Sequence, residues 1–206
     1  MSQIQKLPAF KAYDIRGRMP EQLNEFMVYC IGKAYARVMK PQAPIAVGQD
    51  IRLSSKALSQ ALIAGLNSEG VTTVDIGLCG TEMIYFAAGQ DHMGGGIMVT
   101  ASHNPADYNG LKMVKEGSRP ISSDTGLGAI EQETIVLMNS ISMQSAYIPT
   151  TSLHNEQSVL AGYIAKLLAM IDVAKVKPLH VLVNGGNGCA GPFFDALAQN
   201  LKLKVT

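Results

Sequence analysis

The chain has 206 residues, 47% of them apolar and 16% charged. That excludes disorder and is enough for one full α/β domain with a packed core and part of a second. Seventeen Lys and Arg stand against sixteen Asp and Glu, with no long run of either sign, which argues against nucleic-acid or membrane-surface binding.

Compartment follows from what is missing. Three Cys without a C-x-x-C pair argue against a disulfide scaffold or a thiolate zinc site. No apolar run reaches bilayer length, and MSQIQKLPAF has no signal-peptide core. The expectation is a soluble protein of a reducing, cytoplasmic compartment.

In chain order, residues 10–17 read as a strand running into a loop. Pro20 and Glu21 open a helix whose apolar stripe is Leu23, Phe26, Met27, Cys30, Ile31 and Ala34, stopped at Pro41. PIAVG at 44–48 reads as a buried strand, followed by the loop QDIRL. Ser54 and Ser55 are placed to cap a helix with Leu58, Ala61, Leu62, Gly65 and Leu66 inward, ended at Gly70. A β-branched strand spans 71–76, a turn 77–80, and Thr81 caps a third helix through Ala88. Strands follow over 94–100 and 111–114, then a helix over 122–143. Alternating strands and helices predict a three-layer αβα sandwich on a mixed, mainly parallel sheet.

The polar stretch 140–155 reads as a linker, dividing a first domain over 1–150 from a second, incomplete α/β unit over 156–206. The second unit offers a helix over 156–171, a strand over 179–184, a Gly-rich loop, a helix to residue 200 and the start of a strand. With its sheet cut short, the 156–171 helix should fray, pack on the first domain, or self-associate with another copy.

The richest chemistry lies in TASHNP at 100–105. A hydroxyl just past the carboxyl end of a parallel strand sits where α/β sheets place ligands. Pro105 keeps Asn104 out of the helical region, so the bend is stiff. Ser102 beside His103, with Lys112 returning to the same sheet end, could accept and donate a phosphoryl group. On residue chemistry alone a solvated turn, in which Ser102 and Asn104 satisfy local backbone groups, remains open.

A resemblance carries the reading further. FKAYDIRG at 10–17, VGQDIRLSS at 47–55, GLCGTEMIYFA at 77–87, TASHNP at 100–105 and YNGLKMV at 108–114 resemble, in order, the α-D-phosphohexomutase family and its phosphomannomutase branch. The resemblance implies a Ser102 phosphoserine that shuttles a phosphoryl group through a hexose bisphosphate, interconverting mannose 6- and 1-phosphate for nucleotide-sugar synthesis. It implies that His103 and Asn104 hold the loop and the transferring phosphate. Lys112 becomes the candidate general base, with a neighbouring positive charge and burial expected to favour its neutral form. Tyr13 and Arg16 border the cleft, Arg16 suited to phosphate oxygens. Asp50 and Arg52 are expected to brace the loops.

The family's Mg²⁺ is held by a D-G-D-x-D-R loop together with the phosphoserine at Ser102; this sequence contains no D-x-D. The family's later sugar- and phosphate-recognition loops have no counterpart either. The expectation is an N-terminal fragment or truncated product with little mutase turnover alone. Two rivals stand: a dinucleotide-binding module through Gly186, Gly188 and Gly191 after the strand LHVLVN, and a non-catalytic sugar-phosphate-binding piece. His180 reads as a packed core histidine, Cys30 and Cys79 as small hydrophobes.

Overall fold

The computed structural model describes residues 6–141 and 154–206. Its strands are β1 (Ile15–Arg18), β2 (Ile45–Gln49), β3 (Thr73–Leu78), β4 (Gly95–Val99), β5 (Tyr108–Lys115), β6 (Arg119–Pro120), β7 (His154–Glu156), β8 (His180–Val181) and β9 (Lys204–Val205). The helices are α1 (Glu25–Met39), α2 (Ser55–Ser68), α3 (Thr81–Ala88), α4 (Leu127–Ser140), α5 (Leu160–Ala169) and α6 (Ala190–Ala198).

One sheet runs β1-β5-β4-β2-β3-β7, with β6 paired to β5. β4, β2, β3 and β7 are mutually parallel, whereas β5 is antiparallel to β4, β1 and β6. The turn in direction follows from chain length: only residues 100–107 join β4 to β5, too few for the crossover a parallel partner needs.

Strand alternation divides the core in two. Ile45, Val47, Ile97, Val99, Leu111 and Met113 face α1, α2 and α4, burying Ile31, Tyr35, Leu62 and Ile130. Ala46, Ile76, Met98 and Val114 face α3, with Met83, Ile84, Ala87 and Ala88. The result is the three-layer αβα sandwich. α1 and α2 touch backbone to backbone, since a Cβ on Gly32 would lie 2.5 Å from Leu62 O and one on Gly65 2.2 Å from Tyr29 O.

Several local expectations are corrected. Residues 10–14 are a loop closed by an isolated Phe10–Ile15 bridge, and the strand comes after it. α1 starts at Glu25 because Asn24 caps it, its side chain accepting from Met27 N. Gly80 rather than Thr81 is the N-cap of α3. Ser54 occupies the N-cap of α2 but makes no capping bond, because its hydroxyl and that of Ser55 serve residues far away. Ser123–Thr125 is a short 3-10 turn capped by Ser122, and α4 begins only at Leu127.

The proposed linker at 140–155 falls mostly outside the described residues, but its end does not: His154–Glu156 adds a parallel strand to β3. α5 then lies on the first unit, where Val159, Leu160 and Tyr163 pack against the α3 core and Ile164 is buried. Phe86, Tyr163 and Phe193 stack in sequence, centroids 5.6 Å apart at each step, joining α3, α5 and α6. Beyond them β8 and β9 form a separate two-stranded parallel sheet. His180 is exposed there and pairs with Thr206 Oγ1 at 2.8 Å, so it is not a core residue. Leu182, 81% exposed, and Leu179 leave this unit's apolar surface open.

Candidate active site

The carboxyl ends of β2 and β4 lie side by side, and the residues that leave them interlock. Asp50 follows β2. Its Oδ2 accepts from Thr100 Oγ1 at 2.6 Å, and its Oδ1 accepts from Ser55 Oγ at 2.5 Å and Arg52 N at 3.0 Å. Thr100 Oγ1 accepts in turn from Ser102 N at 2.9 Å. One carboxylate therefore ties the start of α2, the β2 loop and the β4 loop together.

Arg52 supplies the second tie. Its Nη1 donates to Pro105 O at 2.7 Å and Tyr108 O at 3.0 Å. Its Nη2 donates to Ser102 O at 2.9 Å and Asn104 O at 2.6 Å. Asn104 folds inward as well, Nδ2 donating to Ala101 O at 2.7 Å. Ser102 sits at φ 55, in the left-handed region, with its side chain exposed and Oγ 3.4 Å from His103 Nδ1.

Beneath the loop, Asn109 is fully buried. Its Nδ2 donates to Ser54 Oγ at 2.8 Å and Ser55 Oγ at 2.9 Å, and its Oδ1 accepts from Gly110 N at 2.8 Å. The serine pair expected as a helix cap is thus part of the loop's footing.

Ser102, Asn104, Thr100, Asp50 and Arg52 line a cleft of about 720 Å³. Its far wall comes from the second unit: Asn187, Gly188 and Cys189 of the Gly-rich loop. Burial, then the Asp50 charge, pushes the Cys189 thiol up despite a backbone hydrogen bond from Ile51. Gly191 and Pro192 lie inside α6, so the third glycine of G-x-G-x-x-G is helical rather than part of the loop.

The cations expected beside Ser102 form a neighbouring group outside the cleft lining. Asp14 Oδ2 accepts from Arg16 Nε at 2.8 Å, pairs with Nη2 of the same guanidinium at 2.7 Å, and faces Lys112 Nζ at 3.5 Å. Lys112 thus meets a carboxylate as well as a cation, and its side chain keeps 29% exposure. Lys112 pairs in register with Met98, which does line the cleft, so both stand on one sheet face. Tyr13 projects outward, 79% exposed.

Sequence reasoning named Ser102, His103, Asn104, Arg16 and Lys112 but missed Asp14 and the load on Asn109.

Among the described residues no cluster of three or more His, Cys, Asp or Glu could hold a metal ion. The Mg²⁺ site expected from the resemblance is not built by them, since Asp50 is already committed to Thr100, Ser55 and Arg52. Nor is any helix of the described residues long and apolar enough to cross a membrane.

The αβα layer presents a hydroxyl on a braced bend at its strand ends, and comparison with known proteins shows the family to which this arrangement belongs. Residues 7–136 match the family model for phosphoglucomutase/phosphomannomutase, alpha/beta/alpha domain I. The chain belongs to that family. It is 50% identical over 195 residues to a protein named phosphohexose mutases from Xanthomonas campestris pv. campestris, covering 95% of this chain and 42% of that one. With a phosphomannomutase of Salmonella montevideo the identity is 47% over 199 residues, 97% of this chain and 42% of the relative. A solved phosphoglucomutase/phosphomannomutase family protein of Burkholderia thailandensis superposes with TM-score 0.79 at 30% identity, over 96% of this chain and 43% of that structure. The chain thus spans about 42% of the length of the curated relatives it matches.

Proposed function

We propose that the chain carries the phosphoserine half of a phosphomannomutase-type isomerase, with Ser102 as the phosphoryl carrier. The observation that supports this most is the exposed Ser102 hydroxyl at the rim of an open cleft, on a bend tied at both ends by Asp50 and Arg52. In the reaction, the bond between phosphorus and Ser102 Oγ breaks as one forms to a free hydroxyl of mannose 6-phosphate. The hexose 1,6-bisphosphate then returns the phosphoryl group at its other end to Ser102 and leaves as mannose 1-phosphate. Lys112 passes the sugar hydroxyl's proton to the departing Ser102 Oγ in the first transfer and carries one from Ser102 Oγ to the departing sugar oxygen in the second. His103, next to the oxygen, and Asn104, through its bond to Ala101, keep the transferring group in line. Arg16 and Tyr13 border the entry, Arg16 drawing substrate phosphate with the donors Asp14 leaves unused.

Two measurements test this. Incubated with a hexose 1,6-bisphosphate, the chain should gain one phosphate, mapped to Ser102 by peptide mass, and Ser102→Ala should gain none. A phosphate elsewhere, or none on the wild-type chain, overturns the assignment. Turnover between mannose 6- and 1-phosphate should be negligible for the 206 residues alone; a rate near that of a full-length relative refutes that part of the reading.

A further inference from the structure

We infer that Arg52 is a positioning residue, whose guanidinium holds Ser102 in its left-handed conformation; this rests on Ser102 being the phosphoryl carrier. Its four Nη donors are committed to the carbonyls of Ser102, Asn104, Pro105 and Tyr108, and Nε faces Asp50 Oδ2 as an ion pair at 3.4 Å. The guanidinium is thus turned onto the loop's carbonyls and onto Asp50. Arg52 therefore acts through the loop and touches no reacting atom.

The loop needs such a brace for two reasons. Backbone carbonyls in an irregular bend have no ladder partners, so each must find a donor or water. Ser102 also pays a steric cost at φ 55, and an unbraced chain would relax to the right-handed or extended region. A planar fork spanning four carbonyls supplies both at once, which a lysine ammonium, a single point of donors, does not. Asp50 orients the fork and also holds Thr100, whose hydroxyl receives Ser102 N, so the carboxylate and the guanidinium grip both sides of the serine.

The test uses the whole 206-residue chain as wild type, Arg52→Gln and Arg52→Lys. Amide hydrogen exchange is read at Ser102, Asn104 and Tyr108, with α1 and α2 amides as the control; Ser102 carbon shifts report its backbone, and intact mass follows phosphoryl uptake from a hexose 1,6-bisphosphate. In both variants loop exchange should rise by about tenfold or more, the Ser102 shifts should leave left-handed values, and uptake should slow by about tenfold or more, with the control amides unchanged. Should Arg52→Gln unfold, Arg52→Lys carries the same test, because it keeps the charge and loses the fork. Wild-type exchange and shifts in the variants overturn the clamp. Faster exchange with undiminished uptake overturns the positioning role. If the wild-type chain takes no phosphate at Ser102, the carrier assignment fails while the exchange data still decide the clamp.

Discussion

Lys112 Nζ stands 3.5 Å from Asp14 Oδ2, an oxygen that also accepts from Arg16 Nε and pairs with its Nη2. This carboxylate joins the loop before β1 to β5 and sets two cations on one sheet face. Removing it leaves both without their partner in a half-buried setting. Asp14→Ala should lower stability by about 1–3 kcal/mol, more than Lys112→Met does, because Arg16 loses a charge-assisted hydrogen bond together with its ion pair. Urea unfolding midpoints of the two variants decide it; equal midpoints count against the shared-carboxylate account.

Asn109 gives a second stability prediction. Asn109→Ala leaves a cavity and removes the donor to both Ser54 and Ser55, next to the carboxylate that carries the loop. The cost should be about 1–3 kcal/mol in urea unfolding. Faster hydrogen exchange at residues 100–108 should accompany it, and an Asn109→Ala variant as stable as wild type would contradict the footing described for the loop.

Glu69 sets a pH dependence. Burial raises its carboxyl, but hydrogen bonds from Arg37 and Lys33 outweigh this and hold it below the ordinary value of 4.5. In the window just below that value the unfolded chain binds the proton that the folded chain refuses, so stability rises with pH there. The contribution is complete above the unfolded value and is lost as pH falls through the folded one. Glu69→Gln should flatten the acid limb of a stability-against-pH curve measured from pH 6 downward, and an unchanged limb would remove Glu69 from the account.

The thiols should differ in reactivity. Burial pushes Cys79 up to about 12 and Cys30 up to about 11, and both are enclosed in the core. Cys189 is also raised by burial but is partly exposed at the cleft. A thiol reagent at pH 8 should label Cys189 first and reach the other two only on unfolding, since access and thiolate fraction set the rate. Labelling of Cys30 ahead of Cys189 in the folded chain would contradict this.

The layers were readable in the sequence because β2, β4, α1 and α2 carry uninterrupted apolar faces, whose period announces burial. β7 was not readable: His-Asn-Glu has no β-branched or apolar residue, and only the open edge of β3 makes it a strand. The same limit applies to Ser54 and Ser55, where local capping chemistry lost to the distant demands of Asn109 and Asp50. Ser102, Asn104 and Lys112 stood out through motif and strand end, and Arg52 and Asp50 were expected as braces. Asp14 escaped notice because a carboxylate amid charged neighbours has no signature until the β1–β5 register fixes which side chains meet.

The left-handed backbone at Ser102 sets conformational comfort against chemistry. Glycine would occupy that φ without steric cost, so Ser102→Gly should melt slightly higher than wild type while losing every trace of phosphoryl uptake. A library of this chain selected only for heat resistance would drift toward glycine at position 102 and would discard, as a by-product, the hydroxyl proposed to carry the phosphoryl group.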